Sequence, residues 1–297
     1  MSEMRFDGRV AVVTGAGGGL GRSHALDLAR RGASVVVNDL GGSVDGTGSS
    51  ATAAGLVVEE IHAAGGKAVA NHDSVATADG GRAIVEAALR AFGRIDILVN
   101  NAGILRDKAF HKMDAAMIDA VIDVHLKGGL FVSQPAFAQM RAQGYGRIIN
   151  TSSASGLFGN FGQANYGAAK AGLAGLTRVL AIEGAGYGIK VNAIAPLAAT
   201  RMTEDLLGEL AEKVTPQSVS PVVTYLAHED CAVNGNIYSV AGGRVAQIFI
   251  AETNGVVLSE LTAEAVRASL ASIEDKADYL QPESLHEATV IIGKALS

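Results

Sequence analysis

Three polar side chains stand at spacings that suit proton transfer. Tyr166 and Lys170 are four residues apart, and Ser153 lies thirteen residues before Tyr166. Four residues are about one helical turn, so phenol and ammonium project from one face. A cation beside a phenol favours the phenolate. It is expected to pull the tyrosine pKa down from about 10 toward the working range of a general acid/base. A serine hydroxyl in the same site could hold the oxygen whose proton is exchanged. Ser152 and Ser155 are neighbours, but the spacing to Tyr166 selects Ser153.

A second group of residues suits a dinucleotide. The run Val10-Ala11-Val12-Val13 reads as a strand, and it feeds Thr14-Gly15-Ala16-Gly17-Gly18-Gly19-Leu20-Gly21 before a helical segment. Gly15 permits the tight turn. The later glycines let backbone approach a pyrophosphate at a helix N-terminus. The spacing fits G-x-x-x-G-x-G at Gly15, Gly19 and Gly21, and also G-x-x-G-x-x-G at Gly15, Gly18 and Gly21. The turn alone therefore leaves the subfamily open. Asp39 ends the next strand-like run, Ser34-Val35-Val36-Val37-Asn38-Asp39, where a carboxylate can accept from both ribose hydroxyls and repel a 2′-phosphate. No Lys or Arg lies between Asp39 and Gly66, which favours NAD over NADP. Asp73, after the third strand-like run, suits either an adenine contact or a cap or turn.

The elements that must position these groups alternate. Strand-like runs at 10–13, 34–39, 67–70, 95–100, 147–151, 189–195 and 236–240 are separated by helical patterns. Repeated βα units of this length predict an α/β fold, a doubly wound parallel sheet of Rossmann type with helices on both faces. Residues 1–243 form the expected dinucleotide-binding domain, and residues 244–297 a C-terminal extension. One or two helices are expected over 113–143.

Bulk properties narrow the function. The net charge is −6 and no Lys/Arg-rich run is present, so nucleic acid is not an expected partner. No apolar run reaches the ~20 residues that span a bilayer. The first residues carry no apolar leader and the ending Lys294-Ala295-Leu296-Ser297 is not Ser-Lys-Leu, so a cytoplasmic location is expected. The one cysteine, Cys231, excludes an internal disulfide and fits a reducing compartment. The seven histidines show no ligand spacing beyond an isolated His228-x-x-Cys231, and no metal is expected.

Five motifs in order carry a resemblance. Thr14-Gly15-x-x-x-Gly19-x-Gly21, Asn100-Asn101-Ala102-Gly103, Ser153, Tyr166-x-x-x-Lys170 and Asn192-x-x-x-Pro196 together resemble the short-chain dehydrogenase/reductase family. The resemblance implies an NAD-dependent oxidoreductase acting on an alcohol. Tyr166 would be the acid/base, and Ser153 would orient the substrate oxygen. Lys170 would lower the phenol pKa and hold the nicotinamide ribose. Gly15, Gly19, Leu20, Gly21 and Asp39 would line the cofactor's far end, with Asp73 and Ser74 beside the adenine. Asn101, Ala102, Gly103, Tyr166, Lys170, Pro196 and Thr200 would line the nicotinamide end.

Two departures stand out. His125, in Asp123-Val124-His125-Leu126, occupies the place of an asparagine that helps hold a proton-relay water in the family. The imidazole either serves that relay or is a buried structural histidine. Leu197 follows the proline where many members have glycine. Longer phrases, such as Ala102-Gly103-Ile104-Leu105-Arg106-Asp107 and the run from Ser153 to Tyr166, resemble the (3R)-hydroxyacyl-CoA dehydrogenase branch of the family. That branch implies an acyl-CoA or steroid-type thioester substrate and a homo-oligomer, dimer or tetramer. The extension would serve dimer contacts or cover the substrate cleft. Met202, Leu206 and Leu207 are candidates for the pocket wall or for ordinary helix packing. The rival readings are a ketone reductase of the same family, a sugar-nucleotide epimerase or dehydratase, and a catalytically silent dinucleotide sensor.

Overall fold

The computed structural model describes residues 3–200 and 208–296. Met202, Leu206 and Leu207 lie outside the described residues. Strand β1 (Val10–Thr14) is buried at all five positions. Such a strand must be covered on both faces, as in a parallel sheet. Its side chains alternate accordingly. Ala11 and Val13 join one core with Leu28 and Ile61, while Val10 and Val12 join another with Ile84, Val132 and Met140.

Strands β2 (Ser34–Asn38), β3 (Lys67–Asn71), β4 (Ile97–Asn100), β5 (Gly146–Thr151), β6 (Ile189–Pro196), β7 (Ile237–Ala241) and β8 (Arg244–Ile248) complete the sheet. The order is β3-β2-β1-β4-β5-β6-β7-β8, and the strands from β3 across to β7 pair in parallel. This is the doubly wound architecture expected. The register aligns Thr14 with Asn38 and Asn38 with Asn71, and Asn100 with Asn150. The C-terminal strand ends therefore share one edge. The order reverses between β1 and β4, where doubly wound sheets open a ligand crevice.

Helices α1 (Gly19–Arg30), α2 (Thr52–Ala63), α3 (Ala78–Phe92), α4 (Ala115–Ile122), α5 (Gly128–Gln143), α6 (Ala154–Phe158) and α7 (Ala164–Gly184) follow in chain order. A π-helical turn, Asp123–Lys127, joins α4 to α5. Two differences from the sequence reading stand out. Helix α6 was not expected, because its five residues are too few for a helical period to show; Ser153 caps it by accepting from the Ser155 N–H (3.2 Å). Strand β8 was not expected either. It follows a turn in which Gly242 and Gly243 both have positive φ, the geometry that joins antiparallel neighbours.

The chain divides into two compact units, Met1–Gln247 and Ile248–Ser297. The second holds the short antiparallel pair β9 (Glu252–Thr253) and β10 (Tyr279–Leu280). It also holds helices Ala263–Ile273 and Leu285–Ala295, capped by Thr262 and Ser284. No described helix is long and apolar enough to cross a membrane.

Candidate active site

The glycine turn is shaped by what its neighbours leave no room for. Gly15 has φ +63°, and a Cβ there would lie 2.7 Å from the Ala102 Cα. A Cβ on Gly21 would lie 2.2 Å from the Gly15 carbonyl oxygen. Both distances are shorter than Cβ contacts ever are, so only glycine fits. Thr14 fastens the turn to the segment after β4. Its Oγ1 accepts from the Asn101 N–H (3.0 Å) and the Ala102 N–H (3.1 Å). Asn101 Nδ2 donates to the carbonyls of Thr14 and Gly15. Helix α1 then begins after its N-cap, Gly18, with no side-chain cap and no acidic residue in its first turn. Its free N–H groups and positive dipole end suit a pyrophosphate.

Asp39 stands one residue past β2. Its Oδ2 accepts from the Gly17 N–H (2.7 Å) and its Oδ1 from the Gly41 N–H (2.7 Å). Two acceptor positions remain, enough for a ribose diol. Gly17 escaped the sequence reading: a Cβ there would come within 2.8 Å of that carboxylate. At the end of β3, the Asp73 carboxylate accepts from Asn71 Nδ2 (2.7 Å), and Ser74 Oγ accepts from the Ala76 N–H (3.2 Å). Thr200 faces the same turn, its Cγ2 3.4 Å from where a Cβ on Gly19 would stand.

The catalytic candidates converge near the other side of the switch point. Lys170 is 3% exposed, and its Nζ donates to the Thr151 carbonyl (2.6 Å). That nitrogen lies 5.5 Å from the centre of the Tyr166 ring. Ser152 Oγ donates to the Lys170 carbonyl (2.8 Å), a structural duty that leaves Ser153 to the site. Asn165 was missed from sequence. It is buried, its Oδ1 accepts from the Tyr166 N–H (2.8 Å), and its Nδ2 donates to the Arg106 carbonyl (3.0 Å). It thereby ties the start of α7 to the segment after β4.

The electrostatics correct one expectation. Burial pushes the Tyr166 phenol above its ordinary value, a Ser153 hydrogen bond pulls back, and the Asp107 charge pushes up again. The expected lowering by Lys170 does not prevail. Burial instead brings Lys170 down to about 7.

His125 sits in the π turn and is 3% exposed. Its ring meets the Tyr166 ring edge-to-face, with centroids 5.1 Å apart and planes at 84°. Its Nε2 lies 3.0 Å from the Ile104 nitrogen and 2.8 Å from the Ile104 oxygen, accepting from one or donating to the other according to tautomer. Gly103 must be glycine here, since a Cβ would lie 2.3 Å from His125 Cε1. Burial, then the Lys170 charge, holds the imidazole well below its usual range. Its Nδ1 is buried without a partner among the described residues.

The family model for short chain dehydrogenases matches residues 9–210. A short-chain type dehydrogenase/reductase of Mycobacterium tuberculosis is 57% identical over 248 residues, 83% of this chain and 87% of the relative. Peroxisomal multifunctional enzyme type 2 of Mus musculus is 49% identical over 293 residues, 97% of this chain but 40% of that enzyme. The solved structure of the full-length Drosophila melanogaster form superposes with TM-score 0.84 at 41% identity, covering 99% of this chain and 50% of that one. The chain thus spans half or less of these multifunctional relatives. With its parallel sheet, its glycine turn and the gathering of Ser153, Tyr166 and Lys170, this chain belongs to the short-chain dehydrogenase/reductase family and is an oxidoreductase acting on CH–OH.

Proposed function

We propose that the protein oxidises a (3R)-3-hydroxyacyl-CoA to the 3-ketoacyl-CoA with NAD as acceptor. The observation that carries this is the meeting of Ser153, Tyr166 and Lys170 on the crevice edge that also holds Asp39 and the glycine turn. Tyr166 takes the hydroxyl proton of the substrate, and Ser153 holds the developing carbonyl oxygen. A nicotinamide held there would supply the acceptor for the C3 hydride. Lys170 holds the nicotinamide ribose and shares the charge of the phenolate. His125 fixes Ile104 and the face of Tyr166 from the place of the family asparagine.

Asp39 supports NAD, because its carboxylate, pinned between two backbone N–H groups, would repel a 2′-phosphate. Relatives support the thioester. A hydroxyacyl-CoA dehydrogenase of Mycobacterium tuberculosis is 42% identical over 259 residues. The opposite direction is named for 3-oxoacyl-[acyl-carrier-protein] reductase of Synechocystis, 43% identical over 247 residues. The proposal includes a homo-oligomer, with the exposed Val257, Leu261 and Leu285 of the second unit as subunit contacts. It also includes a cytoplasmic location, which the single buried thiol of Cys231 suits.

Steady-state assays with both coenzymes, in both directions, test this reading. Turnover of the 3R but not the 3S thioester, with NAD preferred, is expected. Preference for NADPH and the ketone would replace it with the reductase reading.

A further inference from the structure

The segments on either side of Tyr166 form a rim whose composition the chemistry above does not use. Residues 104–112 follow β4, and residues 158–163 lie between Ser153 and Tyr166. Two hydrogen bonds join them, and a third ties the first segment to Asn165 at the start of α7. The Lys108 N–H donates to the Gly162 carbonyl (2.8 Å), Gln163 Nε2 to Asp107 Oδ2 (2.6 Å), and Asn165 Nδ2 to the Arg106 carbonyl (3.0 Å). On this rim Phe110, Phe158 and Phe161 are 71%, 73% and 89% exposed. Leaving one such ring in water forgoes about 1.5–3 kcal/mol of burial. Lys108, His111 and Lys112 are exposed among them, and neither ammonium has a carboxylate partner among the described residues. The nearby carboxylates are engaged, Asp107 by Gln163 and Asp114 by the Met117 N–H. Unpaired cations interleaved with bare rings are out of keeping with a chain of net charge −6.

Resting on the acyl-CoA reading above, we propose that this rim binds the nucleotide end of the thioester. Lys108 and Lys112 meet its phosphates, and the phenyl rings stack on its adenine. Stacking of a base on an exposed ring contributes about 1–3 kcal/mol, comparable with what each ring forgoes in water. A local cationic field on an acidic protein concentrates an anionic substrate at the mouth of the site. The placement fits a ligand with two ends. Gly162 is four residues from Tyr166, at most about 14 Å of chain, so rim and phenol are separate yet near. An acyl chain alone would seek a closed apolar cavity and would have no use for the ammonium groups.

The test compares one 3R-hydroxyacyl group carried on coenzyme A, on dephospho-coenzyme A and on pantetheine. The wild type should show the lowest KM with coenzyme A and the highest with pantetheine. Lys108→Glu with Lys112→Glu should raise KM for the coenzyme A thioester roughly tenfold, from two exposed charge contacts reversed. It should leave KM for the pantetheine thioester, and kcat for both, within about twofold, since neither lysine touches the reacting atoms. Phe158→Ser with Phe161→Ser should act on the two nucleotide-bearing thioesters only. Equal KM for all three carriers in the wild type, or an equal rise for all three in the variants, overturns the rim assignment and leaves the proposed reaction standing. Loss of the oligomer in the phenylalanine variant with KM unchanged makes the rings a subunit contact and overturns it too. Wild-type inactivity on all three carriers sinks the proposed reaction itself.

Discussion

The two ends of the crevice are built on opposite plans. The glycine turn works through backbone: N–H groups, carbonyls and missing Cβ atoms at Gly15, Gly17 and Gly21. The cluster around Tyr166 works through side chains taken out of water, with Lys170 and His125 each 3% exposed. A backbone site has no protonation state to lose, and it is broken by adding an atom. A buried side-chain site is poised by burial, and it is broken by changing charge.

The largest expected effect is at the phenol. Tyr166→Phe should lower kcat by about two to four orders of magnitude, the usual worth of a positioned acid/base. Dinucleotide affinity, measured by fluorescence titration, should change by less than about threefold if the two ends are independent. In the wild type, the raised phenol pKa means that little phenolate exists at neutral pH. Oxidation should therefore still be climbing at about pH 9, while reduction, which uses the protonated phenol, should not.

The next effect is on stability. Lys170 titrates near 7 when folded against 10.5 ordinarily, so the unfolded chain holds more protons between those values. Its contribution is fully present above pH 10.5 and is lost as pH falls toward 7, by several kcal/mol. Lys170→Met should abolish activity yet flatten that alkaline rise, read as urea midpoints at pH 7 and pH 9. An unchanged slope in the variant would mean that the amine is not the group that burial penalises.

Gly21→Ala is the steric counterpart. It should weaken dinucleotide binding and destabilise the fold by about 1–3 kcal/mol, without altering the pH profile of the residual activity. The smallest effect is at Asp39. Asp39→Asn keeps the shape and removes the charge, and should narrow the preference for NAD over NADP by roughly tenfold. A preference unmoved by that change would transfer discrimination elsewhere in the loop.

Much of this was legible in the sequence because it rests on short-range necessity. An apolar run before glycines, a carboxylate at the next strand end, and a one-turn spacing on a helix each reflect local geometry. The rest depends on partners far along the chain. Gly17 matters only because Asp39 comes back to it, and Asn165 only because the carbonyl of Arg106 is near. The same holds for the buried pair His24 and Ser220, whose Nδ1 and Oγ meet at 2.8 Å across 196 residues. Strand β8 carries no buried residue, so it lacks the apolar signal that betrayed its neighbours. The sign of the phenol shift was misjudged because spacing shows who stands beside whom, and not how much water is left.

The π turn at Asp123–Lys127 has a mechanical consequence. A residue inserted in a helical rod rotates everything beyond it by about 100°. Before the turn, α4 packs against α7, the helix of Tyr166; after it, α5 packs against α3 on the face of the sheet. One rod thus changes allegiance midway, and His125 sits at the changeover, where the widened coil lets an imidazole stand against the phenol. Deleting a single residue there would re-phase the rod, turning either the inner lining of the sheet or the histidine out of register.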